Sequence, residues 1–265
     1  MNANVLSVKV EVKRVDLSRG RAELVNDPVV VEAPVNLHVN RRHVATLLAL
    51  PDQLKELCVG WLLSHAIIKK VDEILNVQVK GNLVRVNCLD EVEMRLRVAS
   101  RVGVVRSSCG SLADDFYFLI DRISKPFVAS DYTVKAGQLL RFVSVLNRKS
   151  SLFRLTGGTH SAALFHEGVL VAFAEDVGRH NAVDKVIGSA ALRRTDFSKC
   201  VLVSSGRQPA GMVLKAARVG IPIVASIAGP IYSGVEAARK TGVTLVCFVR
   251  GRRMNVYSFH ERVVL

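Results

Sequence analysis

Two stretches of the sequence gather side chains capable of chemistry. One is VVRSSCGSLADD, where Cys109 sits among small polar residues and a glycine, three positions after Arg106. The other is AEDVGRHNAVDKVIGSAALRR, from Ala174 to Arg194. It opens on Glu175 and Asp176, then sets Arg179, His180, Asn181, Asp184 and Lys185 within seven residues. Such a cluster either caps a helix and ties loops together or forms part of a polar pocket. Further polar residues recur where apolar runs end. They are Ser204-Ser205-Gly206-Arg207 after CVLV, Ser226 and Gly229 after IPIVA, and Arg250-Gly251-Arg252-Arg253 after TLVCFV.

Residues that are to act together need elements that end together, and the second half of the chain has that rhythm. KAGQLLRFVSVLNRKSS reads as helix, and AALFHEGVLVAFAED as a hairpin turning at His166-Glu167-Gly168. Helix VGRHNAVDKVIGSAALRR, strand CVLVSS, helix RQPAGMVLKAARVG and strand IPIVASIAG follow, then helix PIYSGVEAARKTG and strand VTLVCFVRG. The alternation predicts an α/β layer with a largely parallel sheet. In open sheets of that kind the ligand lies outside the carboxyl ends of the strands. Ser205, Gly206 and Arg207 then stand on a candidate rim. A helix opening beside SSGRQPAG offers free backbone N–H groups and a positive dipole end to phosphate. Arginines add charge-assisted, often bidentate contacts. One polar turn of this kind is ordinary; three in one sheet point to a ligand site.

The first half reads differently. VLSVKVEVKRVDL, EAPVNLHVN and LVRVNCLDEVEMRLRV alternate with period two and read as strands. One amphipathic helix, LKELCVGWLLSHAII, begins after Pro51-Asp52, with Asp52 as its N-cap. From Gly103 to Asp131 the periodicity fades into a long loop, a length usually tied to function. The expected organisation is a strand-rich N-terminal domain over 1–102 with one helix, a connecting loop over 103–131 carrying Cys109, and an α/β domain over 132–265.

Composition limits the classes open to the chain. Of 265 residues, 49% are apolar, which supports a packed core rather than disorder. No apolar run approaches the roughly 20 residues of a membrane span, and MNANVLSVKVEVKRVD lacks the apolar stretch of a signal peptide. A cytoplasmic protein without a membrane partner is expected. The net charge of +14 suits a phosphate-bearing ligand, an anionic surface or nucleic acid. The basic residues fall in short groups, with no recognised nucleic-acid module or interleaved aromatic surface, so nucleic acid is not the expected partner. The five cysteines show no C-x-x-C spacing, which argues against a disulfide framework and a cysteine zinc site. Cys58, Cys88, Cys200 and Cys247 lie in apolar runs and behave as small hydrophobes. Cys109 does not.

TGGTHSAALF, EDVGRHNAVDK, SSGRQPAGMVLKAARVGIPIVAS and FVRGRRMNVYS closely resemble the FdhD family, the formate dehydrogenase accessory sulfurtransferases. The VNLHVN strand, the PDQLKELCVGWLLSHAII helix and the SSCG loop extend the resemblance over about residues 30 to 260. It implies a persulfide carrier that accepts sulfur from a cysteine desulfurase. The sulfur then passes to a molybdenum (or tungsten) bis-molybdopterin guanine dinucleotide cofactor, bound transiently before it enters apo formate dehydrogenase. The resemblance also implies a homodimer and a C-terminal three-layer domain like cytidine deaminase, within an α/β (α+β overall) chain. A working zinc deaminase carries H-x-E and P-C-x-x-C. Here the counterparts are His180-Asn181-Ala182 and Gln208-Pro209-Ala210-Gly211, so neither intrinsic zinc nor deamination is expected.

Cys109 matches the family's loop cysteine. Thiolate is the nucleophile in persulfide exchange, and Arg106 with small flanking residues suits it. Many relatives carry a second cysteine three positions on, where this chain has Leu112. One cysteine can hold a persulfide, the second serving to resolve or relay it. The family's cofactor-binding segment matches Phe248, Val249, Arg250, Gly251, Arg252 and Arg253, to which the strand-end argument adds Ser205, Gly206 and Arg207. Asp184 reads as scaffold and His180 as pocket. The rival reading is a cofactor-binding chaperone that transfers no sulfur.

Overall fold

Valine alternates with charge along β1 (Ser7–Asp16), which pairs antiparallel with β2 (Arg21–Val30) as a hairpin of its own. This comes from a computed structural model, which describes residues 5–101 and 126–265. The next strands, β3 (Ala33–Val39), β4 (Arg42–Ala49), β5 (Ile74–Lys80) and β6 (Leu83–Cys88), form a four-stranded sheet in the order β4-β3-β6-β5. Only the β3–β6 pair is parallel. Helix α1 (Leu54–Ser64) leaves this sheet after β4. Its N-cap is Gln53, in a left-handed conformation, and not the expected Asp52, whose carboxylate accepts the neighbouring Gln53 N–H at 2.9 Å and caps no helix N–H.

Helix α2 (Asp90–Arg101) corrects a second expectation, because DEVEMRLRV had read as strand. Asp90, Glu91 and Glu93 crowd its first turn, where the helix dipole favours negative charge. Val92 and Leu96, four apart, are both buried, which is helical spacing. The N-terminal half therefore has two α-helices rather than one. Cys109 and most of the 103–131 connection lie outside the described residues; 126–131 has no regular structure.

The second half keeps the expected order from α3 to β12 and adds the short β7, α4, β13 and β14, which the sequence did not announce. After β7 (Val134–Lys135) come α3 (Ala136–Lys149), α4 (Ser151–Thr156), β8 (His160–His166), β9 (Val169–Asp176) and α5 (Arg179–Leu192). Then β10 (Cys200–Ser204), α6 (Ala210–Val219), β11 (Ile223–Ser226), α7 (Tyr232–Thr241), β12 (Thr244–Arg250), β13 (Arg253–Val256) and β14 (Val263–Val264) complete it. The short β14 lies parallel to β7. A six-stranded sheet runs β13-β12-β11-β10-β8-β9 and is mixed, not largely parallel: only β10–β11 and β11–β12 are parallel. The reason is local. Glu167 and Gly168, both at positive φ, make a two-residue turn that reverses β8 into β9, and a tight turn at Gly251 reverses β12 into β13.

The sheet has helices on both faces. Leu139, Phe142, Val143 and Leu146 of α3 cover one, with Phe142 stacked on Phe165. On the other, α5, α6 and α7 share one core with α1 and the four-stranded sheet, running from Val35 to Cys247. Helices α1 and α5 meet backbone to backbone at two glycines. A Cβ on Gly60 would lie 1.8 Å from the Asp184 carbonyl oxygen, and one on Gly188 would lie 1.9 Å from that of Glu56. Among the described residues no helix is long and apolar enough to cross a membrane.

Candidate functional site

Most of the cluster from Glu175 to Lys185 holds the molecule together. Lys185 is fully buried and pairs with Asp176 at 2.7 Å, while also donating to the Leu50 carbonyl. Asp176 accepts from the Leu50 and Gly178 N–H groups and from Asn181, which reaches on to the Leu48 carbonyl. The end of β4 is thereby tied to the end of β9. Glu175 accepts the Leu152 and Phe153 N–H groups and the Thr159 hydroxyl, capping α4. Asp184 receives both its contacts from Lys215 at 2.8 Å and a third from Ser64 at 2.7 Å, joining α5, α6 and α1. Burial pushes the Asp184 carboxyl up, and the Lys215 ammonium with the Ser64 hydroxyl pulls it back. Asp184 is scaffold, as the sequence suggested.

Arg179 and His180 are different. Arg179 Nε is buried with no hydrogen-bond partner among the described residues, and the His180 ring makes no hydrogen bond there either. Burial, with the charges of Lys215, Arg179 and His160, holds the His180 pKa well below its ordinary value. His160 is lowered too, by burial and then by Arg179 and Arg207. Two neutral imidazoles therefore stand beside two arginines.

Strand register brings these groups to one edge. His160 pairs with Asp176, and Ser204 pairs with both Ala162 and Ser226, so the carboxyl ends of β9, β10 and β11 meet the start of β8. Ser205 Oγ accepts the Ser161 N–H at 2.9 Å and lies 3.4 Å from His160 Nδ1. Gly206 packs on Arg179, and its carbonyl accepts from Ser226 and Gln208 at 2.7 and 2.8 Å. Gln208 N–H donates to the Gly229 carbonyl, and the Phe248 ring packs on Gly229. Phe248 has φ +55 in a bulged stretch of β12, with the Arg250 guanidinium 5.6 Å from its ring centre.

The same edge carries a cleft of about 640 Å³ on its α3 side, where Arg148, Arg154 and Arg250 stand with Asn147 and Ile227. Of the residues expected at the site, Ser205, Gly206 and His180 gather around Arg179 and His160, with Arg207 exposed beside them. Phe248 joins them through Gly229, and Arg250 and Gly251 line the cleft. The Val249 side chain is core, so it can act only as wall, and Arg252 and Arg253 stand exposed at the Gly251 turn. His160, Arg148 and Arg154 were not singled out from the sequence. The arginines come from helices that carry no strand-end signal, and His160 gains its place only through register. Among the described residues no group of three His, Cys, Asp or Glu side chains could hold a metal ion.

This edge can do little covalent chemistry by itself, but it gathers positive charge and hydrogen-bond donors of the kind that suit an anion. Arginines and neutral imidazoles are the donors for that. The N–H groups expected to be free at SSGRQPAG are not, since those of Ser205, Gly206, Gln208, Ala210 and Met212 are taken up by Ser161, Ser204, Gly229, Ser233 and Pro209.

A family model described as the FdhD/NarQ family matches residues 30–264. The sulfur carrier protein FdhD of Methanothermobacter thermautotrophicus is 35% identical over 256 residues, covering 97% of this chain and 98% of its own. The protein of the same name from Saccharolobus solfataricus is 34% identical over 263 residues, covering 96% and 99%. A crystal structure of a formate dehydrogenase accessory protein from Desulfotalea psychrophila superposes with a TM-score of 0.80 at 29% identity, covering 98% of this chain and 100% of that one.

Proposed function

The chain belongs to the FdhD/NarQ family, and from that membership we propose that it is a sulfur carrier in the maturation of formate dehydrogenase. It takes persulfide sulfur from a cysteine desulfurase and delivers it to a molybdenum or tungsten bis-molybdopterin guanine dinucleotide, its transient cargo. The observation that carries this reading is the contrast among the cysteines. Cys58, Cys88, Cys200 and Cys247 are buried. Burial pushes the Cys88 thiol to about 11 and those of Cys200 and Cys247 to about 12, and raises Cys58 as well. Such thiols stay protonated at neutral pH and are poor nucleophiles. Cys109 is left as the carrier. Its thiolate attacks the outer sulfur of the donor persulfide, the donor's S–S bond breaks, and the desulfurase cysteine leaves as thiolate.

The arginine-lined edge then receives the cargo. Arg207 and Arg250, with Arg252 and Arg253 at the turn, meet the phosphates of the guanine dinucleotide arms, while Arg179 and His180 supply unpaired donors within. The positive charge serves this anion rather than nucleic acid. The C-terminal half fits a cytidine-deaminase-like domain in the succession of α3, the β8–β9 hairpin and α5 opening on Arg179-His180. It does not act as a deaminase, because Ala182 stands where the general acid/base would be and no cysteine lies in Gln208–Gly211. The protein works in the cytoplasm as a homodimer, with apo formate dehydrogenase as its client.

The test is to incubate the purified protein with a cysteine desulfurase and cysteine and to map added sulfur by mass spectrometry. Sulfur on Cys109, lost in Cys109→Ala, is the expected result. One observation favours a second reading: Leu112 stands where relatives carry another cysteine. If no sulfur appears on Cys109 and Cys109→Ala still supports formate dehydrogenase activation, the protein is a cofactor-binding chaperone instead.

A further inference from the structure

Three elements each send one arginine to the same cleft. Arg148 comes from the last turn of α3, Arg154 from α4 and Arg250 from the carboxyl end of β12. The cleft lies on the α3 face of the six-stranded sheet, whereas Arg179 and His180 open α5 on the other face. Neither Arg148 nor Arg154 has a part in the function proposed above, which draws on strand ends and the Gly251 turn.

Two of these side chains are held by neutral groups. Arg148 Nη1 donates to Ser144 Oγ at 2.9 Å, and Arg154 Nη1 donates to the Asn147 carbonyl of the preceding helix. The Arg250 guanidinium stands 5.6 Å from the centre of the Phe248 ring. None of the three pairs with a carboxylate among the described residues. A guanidinium has five N–H donors, so one neutral bond leaves most of its fork free.

The lack of acid extends beyond the cleft's wall. Residues 132–166 hold five basic side chains and no Asp or Glu, and residues 237–260 hold the same balance. Glu175, the acid that reaches α4, is engaged by the Leu152 and Phe153 N–H groups and the Thr159 hydroxyl. Arg148 and Arg154 could serve merely to answer the carbonyl dipole at the end of α3. That role requires neither Arg250 nor an acid-free lining over an apolar floor of Leu140, Val143, Ile227 and Val249. Three unpaired cations together match the roughly two to three negative charges of a diphosphate. The apolar floor suits a group esterified to it. We propose that Arg148, Arg154 and Arg250 clamp the diphosphate of one guanine dinucleotide arm in this cleft. This rests on the cargo reading above and adds to it two residues from helices.

Calorimetric titration of the full-length protein with guanosine diphosphate, guanosine monophosphate and inorganic pyrophosphate tests it. The wild type should bind the diphosphate at least about tenfold more tightly than the monophosphate. Arg148→Ala and Arg154→Ala should each weaken the diphosphate by about tenfold and the monophosphate little, so that the preference collapses. Arg154→Lys keeps the charge at the end of α3 but loses the fork, and should fall between. Arg141→Ala, on α3 outside the cleft, should match the wild type. Diphosphate binding that ignores both alanine variants, or equal loss of both nucleotides, overturns the clamp and leaves the cargo reading standing. A wild type that binds neither diphosphate nor pyrophosphate overturns both. Sulfur on Cys109 is read in a separate assay, so the carrier reading can fail while the clamp holds.

Discussion

His180 sits against Arg179 with the charge of Lys215 nearby, and burial with those two cations keeps its ring neutral. His65 and His160 are depressed in the same direction, again by burial first. A histidine held neutral in the fold regains an ordinary pKa of about 6.5 when the chain unfolds. Below that pH the unfolded chain binds more protons, so stability falls as pH drops through this window towards the folded values. The melting temperature should therefore decline from about pH 7 to pH 5, with a shallower slope in His180→Asn. Thermal melts across that range measure it, and an identical slope in the variant would sink the idea. The density of polar groups from Glu175 to Lys185 was legible in the sequence, and so was the scaffold character of Asp184, but not the partners that divide the cluster. Asp184 is scaffold because Lys215 and Ser64 reach it, and those partners lie 31 and 120 residues away. Arg179 is left unpartnered because nothing comparable arrives. Pairing at such separations leaves no local trace.

At the scale of elements, periodicity revealed α3 and the helices and strands from β8 to β12, because each buries a face at its own regular spacing, but not the short β7, α4, β13 and β14. It failed where short-range charge outweighed alternation, in α2, and where a turn decided direction, in β8–β9. Nor does any pattern announce that α1 and α5 must touch. Gly60 and Gly188 look like weak points in helices, and only their approach to the opposing backbone explains them. Alanine at either position forces the helices apart. Gly188→Ala should cost at least about 2 kcal/mol, lowering the melting temperature by about 5 °C. Gly137→Ala, which would meet nothing within 4 Å, serves as the control. Equal melting temperatures for the two variants would contradict the backbone contact.

Across the whole molecule, the sequence suggested two halves with different rhythms, yet the core passes from one to the other without interruption. Leu48 and Leu50, at the end of the four-stranded sheet, give backbone groups to Asn181, Asp176 and Lys185. Ser64 completes the shell around the buried Asp184–Lys215 pair. Without the first half, α5 would present Gly188 and these charges to water, and the Asp184 pair would lose a hydrogen bond. The arginine edge is then a property of the assembled chain, since the strand ends that form it are fixed from the far side by α1 and β4. Calorimetry should show one cooperative transition for the full-length protein, with the ratio of van't Hoff to calorimetric enthalpy near one. Separate expression of 132–265 should yield a chain that fails to give a sharp transition. Two resolved transitions, or a fragment that melts as sharply as the parent, would mean that the halves stabilise themselves independently and that the edge does not depend on their union.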